Sequence, residues 1–329
     1  MNKTKIKLYK KPQKLIPIFF ATDDNYMPFL EVSLRSLIDN ASKEYRYIVH
    51  VLNSGLKQEN IDLVKKLEND NFKIDFCDVT EAIQPIRNKL KNLYHFGLAT
   101  WYRLFIQSLF PQYDKVLYLD CDIIVLGDIS KLYNTQMGDN LLAAVECNII
   151  RIDPVLKDYP KAFCGVNQPE YFNAGILVMN LKEFRKENIE NKFLYLLTKY
   201  NFDVIDPDQG YLNFLTRGRV KLLPNGWNKE AVPTQLEGKL NIVHYALYKK
   251  PWQYDDVIDA NYFWDYASKS PFYDAIKSIK ENFNDEMKAK KEKANIDIIE
   301  HARRVIVSEK NFVNCLANDS NWPNNIDIV

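Results

Sequence analysis

Asp120-Cys121-Asp122 sets two carboxylates one residue apart at the end of an apolar run, Lys115-Val116-Leu117-Tyr118-Leu119, that reads as a buried strand. Carboxylates are costly to bury unless they are paired or hold a cation. A pair placed where a strand leaves the core therefore points to a divalent metal, and through it to nucleotide-sugar chemistry. The competing reading is an Asx-type turn that closes the strand. A second polar cluster, Asp23-Asp24-Asn25-Tyr26, follows the apolar run Leu15 to Ala21, and its plain alternative is a helix N-cap ahead of Pro28. His244, in Ile242-Val243-His244-Tyr245, reads on its own as a core histidine, and Arg103 and Lys250 are ordinary in isolation.

The elements around these residues have to bring them together. Strand-like runs alternate with helical periodicity through the first half. Ile16 to Ala21 is followed by Phe29, Val32, Leu34, Leu37 and Ile38 on one helical face, then by Tyr47 to Leu52. Ile61, Leu63, Val64 and Leu67 precede Phe72 to Phe76, and a helix is expected near Trp101 to Leu109. The alternation predicts an α/β fold with a mostly parallel sheet flanked by helices, in which ligands bind at the carboxyl ends of strands. Both acidic clusters fall at such ends, so they are expected to line one crevice. None of the ten glycines forms a Gly-x-Gly-x-x-Gly or phosphate-loop pattern, which leaves any phosphate to a metal. Farther on, Ile176 to Asn180 reads as another buried strand and Phe184 to Tyr200 as helix. Asp206-Pro207-Asp208-Gln209-Gly210 opens a short helix with Pro207 in its first turn.

Composition narrows the function classes. A chain of 329 residues, 47% hydrophobic and 26% charged, has ample material for a core. Its formal net charge of +1, with no arginine-rich patch interleaved with aromatics, argues against nucleic acid as a partner. Five scattered cysteines without a Cys-x-x-Cys pair fit neither a zinc framework nor a disulfide lattice, and suggest a reducing, cytoplasmic setting. Lys3, Lys5, Lys7, Lys10, Lys11 and Lys14 precede a short apolar run holding Pro17, which reads as a basic arm before a core strand rather than a signal peptide.

Ala21-Thr22-Asp23-Asp24-Asn25-Tyr26, Arg103, Asp120-Cys121-Asp122, Tyr171-Phe172-Asn173-Ala174-Gly175, Asp208-Gln209 and His244 with Lys250-Pro251-Trp252 occur in one order. Together they resemble the retaining glycosyltransferases of family eight, which include bacterial lipooligosaccharide galactosyltransferases and the glycogenins. The resemblance implies a GT-A-like catalytic domain over residues 15–268, after a basic arm at 1–14 and before a helical C-terminal tail at 269–329. It also implies a UDP-sugar donor and a manganese ion, with magnesium as the alternative. A hexose, galactose or glucose, would pass with retention to a glycan, lipid-linked or glycoprotein acceptor, giving an α-linked product. A self-glucosylating primer, a donor hydrolase or a degenerate sugar-binding module are the other readings.

Residue by residue, the resemblance makes Asp120, Asp122 and His244 the metal ligands, a mixed oxygen and nitrogen set that suits manganese. Asp23, Asn25 and Tyr26 fall to the uridine, where a carboxylate can accept from the base or ribose and a tyrosine ring can stack. Ala21, Cys121, Ala174 and Leu247 accompany them as donor contacts. Arg103 and Lys250 are cations for the diphosphate and the sugar, and Asn173, Asp208 and Gln209 surround the hexose. Catalytic roles fall to Gln209, Asp208, Arg103 and Lys250, and His95 and Cys147 face the acceptor.

Two positions depart from the pattern. Cys147 stands where the family usually has aspartate, with Glu146 as a candidate substitute, and Leu247 stands where a glycine is expected after the histidine. In the tail, Lys288 to Lys310 carries seven basic against four acidic residues, with Ile298, Ile299, Ala302, Val305 and Ile306 at helical spacing. This stripe could rest peripherally on the inner membrane face or pack against the body of the protein.

Overall fold

The apolar runs that carry no alternation are the strands buried on both faces. The computed structural model describes residues 13–90, 97–247 and 249–323. Among the described residues, ten strands form two sheets: β1 (Leu15–Ala21), β2 (Arg46–Asn53), β3 (Phe72–Asp78), β4 (Lys115–Leu119), β5 (Ile123–Val125), β6 (Leu142–Ala144), β7 (Ile176–Asn180), β8 (Val220–Leu222), β9 (Lys229–Glu230) and β10 (Ile242–His244). The larger sheet has the order β3-β2-β1-β4-β7-β6-β8 and the smaller one β5-β10-β9. β3, β2, β1 and β4 run parallel, and β7 is antiparallel to β4 and β6. The mixed, mostly parallel α/β architecture with a helical C-terminus matches the expectation from sequence.

Side-chain alternation splits the core into two layers. In β1, Ile16, Ile18 and Phe20 point into one layer with Leu117 and Leu119 of β4, while Phe19 points into the other with Val116 and Tyr118. Helix α1 (Met27–Asn40) buries Leu30, Leu34 and Leu37 against the first layer, and α2 (Gln58–Lys65) adds Val64.

Register is what positions the chemistry. Leu119 pairs with Ile176, so Asp120, the residue after β4, abuts Gly175, the residue before β7, and its N–H donates to the Gly175 carbonyl at 2.7 Å. In the small sheet His244 pairs with Ile123 on one side and with Glu230 on the other. The Tyr245 N–H donates to the Asp122 carbonyl at 3.0 Å. Two strand ends remote in sequence are thereby fixed within one peptide unit of each other.

Local structure differs from the expected elements in two places. Trp101 to Leu109 is a 3-10 segment, Leu98–Phe105, followed by one α-turn, Ile106–Leu109; within it the Thr100 carbonyl accepts from Arg103 Nε at 3.0 Å. Phe184 to Tyr200 is two helices, Leu181–Lys186 and Ile189–Lys199, separated by Asn188 at a φ of 56°. Asparagine tolerates this left-handed conformation better than most residues.

The tail is helical over Tyr273–Glu281, Asp285–Ile306 and Phe312–Ala317. Ile298, Ala302 and Val305 are buried. Phe312 sits among Phe163, Phe202, Tyr211 and Phe214, with ring centroids 5.4, 4.3, 5.1 and 4.6 Å away. Most of the apolar stripe that could have faced a lipid surface packs against the body. Among the described residues, no helix is long and apolar enough to cross a membrane.

Candidate active site

Asp120, Asp122 and His244 each offer one ligand atom within 4.8 Å of the others. His244 Nε2 lies 3.3 Å from Asp122 Oδ1 and 3.9 Å from Asp120 Oδ2. The closeness depends on Gly175: a Cβ there would stand 2.7 Å from Asp120 Oδ2 and would also overlap the His244 ring. Two carboxylates and one imidazole facing a common point form a donor set that can hold a divalent cation.

Two buried cations brace this acidic pair. Lys250 Nζ lies 2.5 Å from Asp122 Oδ2 and also donates to the Tyr245 carbonyl. Arg103 Nη2 pairs with Asp120 Oδ1 at 3.0 Å and Nε with Asp208 Oδ2 at 2.9 Å, while Nη1 donates to the Ala174 carbonyl. Burial alone would raise the Asp122 pKa, yet Lys250 and then His244 hold it well below the usual carboxylate range. For His244, burial pulls downward and the Asp122 charge more than reverses it, so the imidazole pKa is raised. Asp208 goes the other way, because burial outweighs Arg103 and lifts its pKa.

Around this centre lies a cavity of about 400 Å³ lined by residues from every element that ends there. Ala21 and Cys121 join the ends of β1 and β4, with Cys121 Sγ donating to the Ala21 carbonyl at 3.3 Å. Asp23 Oδ1 accepts from the N–H groups of Asn25 and Tyr26 at 2.9 and 3.1 Å, an Asx turn that sets Asn25 and Tyr26 on the cleft wall. Asp24 is held elsewhere, accepting from the Lys57 N–H and from Asn60. Gln209 is fixed at both ends: its Oε1 accepts from the Ala174 N–H at 2.9 Å and its Nε2 donates to Asp206 Oδ2 at 2.8 Å. Asp208 accepts from the Thr100 hydroxyl. Both lie in the first turn of the helix Pro207–Thr216, with Pro207 at its start as its residue type suits.

Asp206, wholly buried beneath this turn, accepts from Tyr171 at 2.6 Å as well as from Gln209, and burial pushes its pKa up to about 7. The native protein therefore keeps a proton that the unfolded chain has already released between about pH 4 and 7, so this group makes stability fall as pH rises through that window. Asp206→Asn should flatten that slope by on the order of a few kcal/mol. Urea midpoints measured at pH 5 and pH 7.5 check this, and identical slopes in the two proteins would refute it.

The two departures from the family pattern are resolved structurally. Leu247 lines the cleft at a φ of 62°, so the backbone keeps the left-handed conformation that a glycine would take there. That conformation costs roughly 1–2 kcal/mol in a residue with a Cβ. Leu247→Gly is expected to raise Tm by roughly 1–2 °C after the entropy of the extra glycine is set against it, a gain readable by thermal melts. Cys147 is buried with its Sγ 3.7 Å from Glu230 Oε1. Glu146 turns away to Gln168 and Arg151, at 2.9 and 3.5 Å, and does not take the place of the missing aspartate. The acid that does reach Cys147 is Glu230, from β9. His95 lies outside the described residues.

Some lining residues were not assigned to the site from sequence, Glu230 and two tail-helix residues among them. Glu230 belongs to no motif and is recruited by strand pairing with His244. Asn295 and Ile298 come from the long tail helix Asp285–Ile306, which thereby contributes to the cleft lining.

The family model for glycosyl transferase family 8 matches residues 17–256. Lipopolysaccharide 1,2-glucosyltransferase of Escherichia coli is 25% identical over 290 residues, which are 81% of this chain and 84% of that one. The solved galactosyltransferase LgtC, in complex with donor and acceptor sugar analogues, has a TM-score of 0.65 at 25% identity, covering 84% of this chain and 100% of its own. The bifunctional glycosyltransferase WbbM gives a TM-score of 0.69 at 25% identity, covering 82% of this chain and 52% of its own.

Proposed function

Because the chain belongs to glycosyl transferase family 8, we propose that it transfers galactose or glucose from a UDP-sugar to a glycan acceptor with retention of configuration, using manganese held by Asp120, Asp122 and His244. The observation that carries the reading is the convergence of these three donors in the lining of one cleft. The site fits the ion: its ligands are hard oxygens plus one imidazole, and Gly175 leaves the space that a Cβ would fill. A divalent ion bound there supplies Lewis-acid neutralisation of the departing diphosphate.

The chain's own residues do the rest. Asp23, Asn25 and Tyr26 receive the uridine at the end of β1. Lys250, now against Asp122, offers a second positive charge beside the diphosphate once the Asp122 charge is shared. Arg103 holds Asp120 and Asp208 in place rather than acting as a free cation, since its nitrogens are distributed over both acids and the Ala174 and Thr100 carbonyls. Asn173, Asp208 and Gln209 border the hexose. Gln209 is a neutral amide and a poor nucleophile, and Asp208 is engaged by Arg103 and Thr100, which disfavours a covalent double displacement. We therefore write the reaction as front-face substitution. The acceptor hydroxyl bonds to the anomeric carbon on the face from which UDP departs, and the leaving phosphate oxygen takes its proton.

The acceptor is proposed to be a glycan, lipid-linked or glycoprotein acceptor, met on the cytoplasmic side. The test is a donor screen: thermal stabilisation and slow UDP release are recorded with manganese and each UDP-hexose. A true donor raises stability by about RT ln(1 + [L]/Kd). No manganese-dependent response to any UDP-sugar would sink the reading.

A further inference from the structure

A buried row of side chains runs from His244 through Asn228 and Asn173 to Glu230 on the neighbouring strand. His244 Nδ1 lies 2.9 Å from Asn228 Oδ1. Asn228 Nδ2 donates to Asn173 Oδ1 at 2.9 Å, and Asn173 Nδ2 donates to Glu230 Oε1 at 3.3 Å. Glu230 is completely buried, and its other oxygen accepts from the N–H groups of Asn148 and Ile149 at 2.6 and 3.3 Å.

The direction of this row follows from chemistry at both ends. An ionised carboxylate only accepts, so Asn173 must turn its NH₂ toward Glu230 and its oxygen toward Asn228. The Gly175 N–H, which donates to Asn173 Oδ1 at 2.9 Å, holds the same orientation from the other end of the amide, so Gly175 and Glu230 share the anchoring. Asn228 then has to present its NH₂ to Asn173 and its oxygen to His244. Asn228 thereby gives Nδ1 an acceptor for its proton, so Nε2, which faces Asp120 and Asp122, is the nitrogen left to exchange its proton for a cation.

We infer that Glu230 is a positioning residue that sets the tautomer of His244 through Asn173 and Asn228, and so selects the imidazole nitrogen offered to the cation. Outer partners of this kind change metal affinity by about 10–100-fold when removed. The inference rests on the metal reading proposed above, and it adds a link between the hexose site and the cation site through one amide, Asn173.

Glu230→Gln tests it. The two backbone N–H groups retain the carbonyl of the new side chain, so its NH₂ opposes the Asn173 NH₂ and the row loses its side-chain anchor, keeping the Gly175 N–H alone. Two measurements are made: Mn²⁺ affinity by electron paramagnetic resonance of the free ion, and the ring ¹⁵N shifts of His244 in apo protein above its pKa. The His244 signals are assigned by their loss in His244→Gln. Expected are a 10–100-fold weaker Mn²⁺ affinity and a shift of the ring proton toward Nε2. The double variant Glu230→Gln/Asn228→Asp should restore the Nδ1–H form, because a carboxylate beside the ring accepts from Nδ1 without help from the row. An unchanged tautomer and affinity in Glu230→Gln overturn the inference. Should that variant fail to fold, Asn228→Ala cuts the same row and must give the same ring shift. If wild type binds no Mn²⁺, the metal reading fails while the ring shifts still decide the relay.

Discussion

Asp122→Asn is expected to abolish manganese-dependent donor binding and to lower turnover by about a thousand-fold, the rate equivalent of roughly 4 kcal/mol of lost charge stabilisation. The amide keeps the shape and can still accept from Lys250, but it no longer contributes charge to the cluster. Its cost to the apo protein is smaller. Lys250 keeps the Tyr245 carbonyl, so the broken ion pair should cost about 3 kcal/mol, the lower end for a buried pair, which leaves a domain of ordinary stability folded. Thermal melts with and without manganese and UDP-sugar separate the two effects. A variant that binds donor as wild type does, with manganese still required, would remove Asp122 from the ligand set.

The parts of this architecture that could be read from the chain are those in which local pattern and tertiary role coincide. β1, β4 and β7 are continuous apolar runs because both of their faces are covered, and Asp120-Cys121-Asp122 is conspicuous because it ends one of them. His244 is different. Its residue type in a short apolar strand is uninformative, and only its order relative to Lys250 and the other motifs marked it. Glu230 could not be found in that way, since its partners are backbone N–H groups and an amide brought alongside by pairing of β9 with β10. Arg103 was recognisable as a cation of the site, but not as the brace that its 3-10 segment makes of it. The tail stripe was legible as amphipathic, although periodicity says nothing of which surface an apolar face meets; here it is the body of the protein, with Phe312 at its end.

Arg103→Lys should be among the most destabilising conservative changes in the site, at about 3–5 kcal/mol, or roughly 10 °C in Tm. Arg103 is buried with its guanidinium stacked 4.1 Å from the Tyr118 ring, and it reaches Asp120, Asp208 and two carbonyls in different directions. An ammonium is a single point with three donors and cannot span both acids. Of the two carboxylates only Asp208 is buried, so if it loses its partner it is left charged in the interior, and, already shifted upward by burial, it has the stronger reason to take up a proton. A folded-state pKa raised above that of the unfolded chain makes stability fall as pH rises through the interval between the two values. The deficit of Arg103→Lys relative to wild type should accordingly be smallest near pH 4 and grow toward neutrality. Denaturant midpoints of both proteins across that range decide it, and a pH-independent deficit would mean that lost packing on Tyr118, rather than an orphaned carboxylate, dominates the cost.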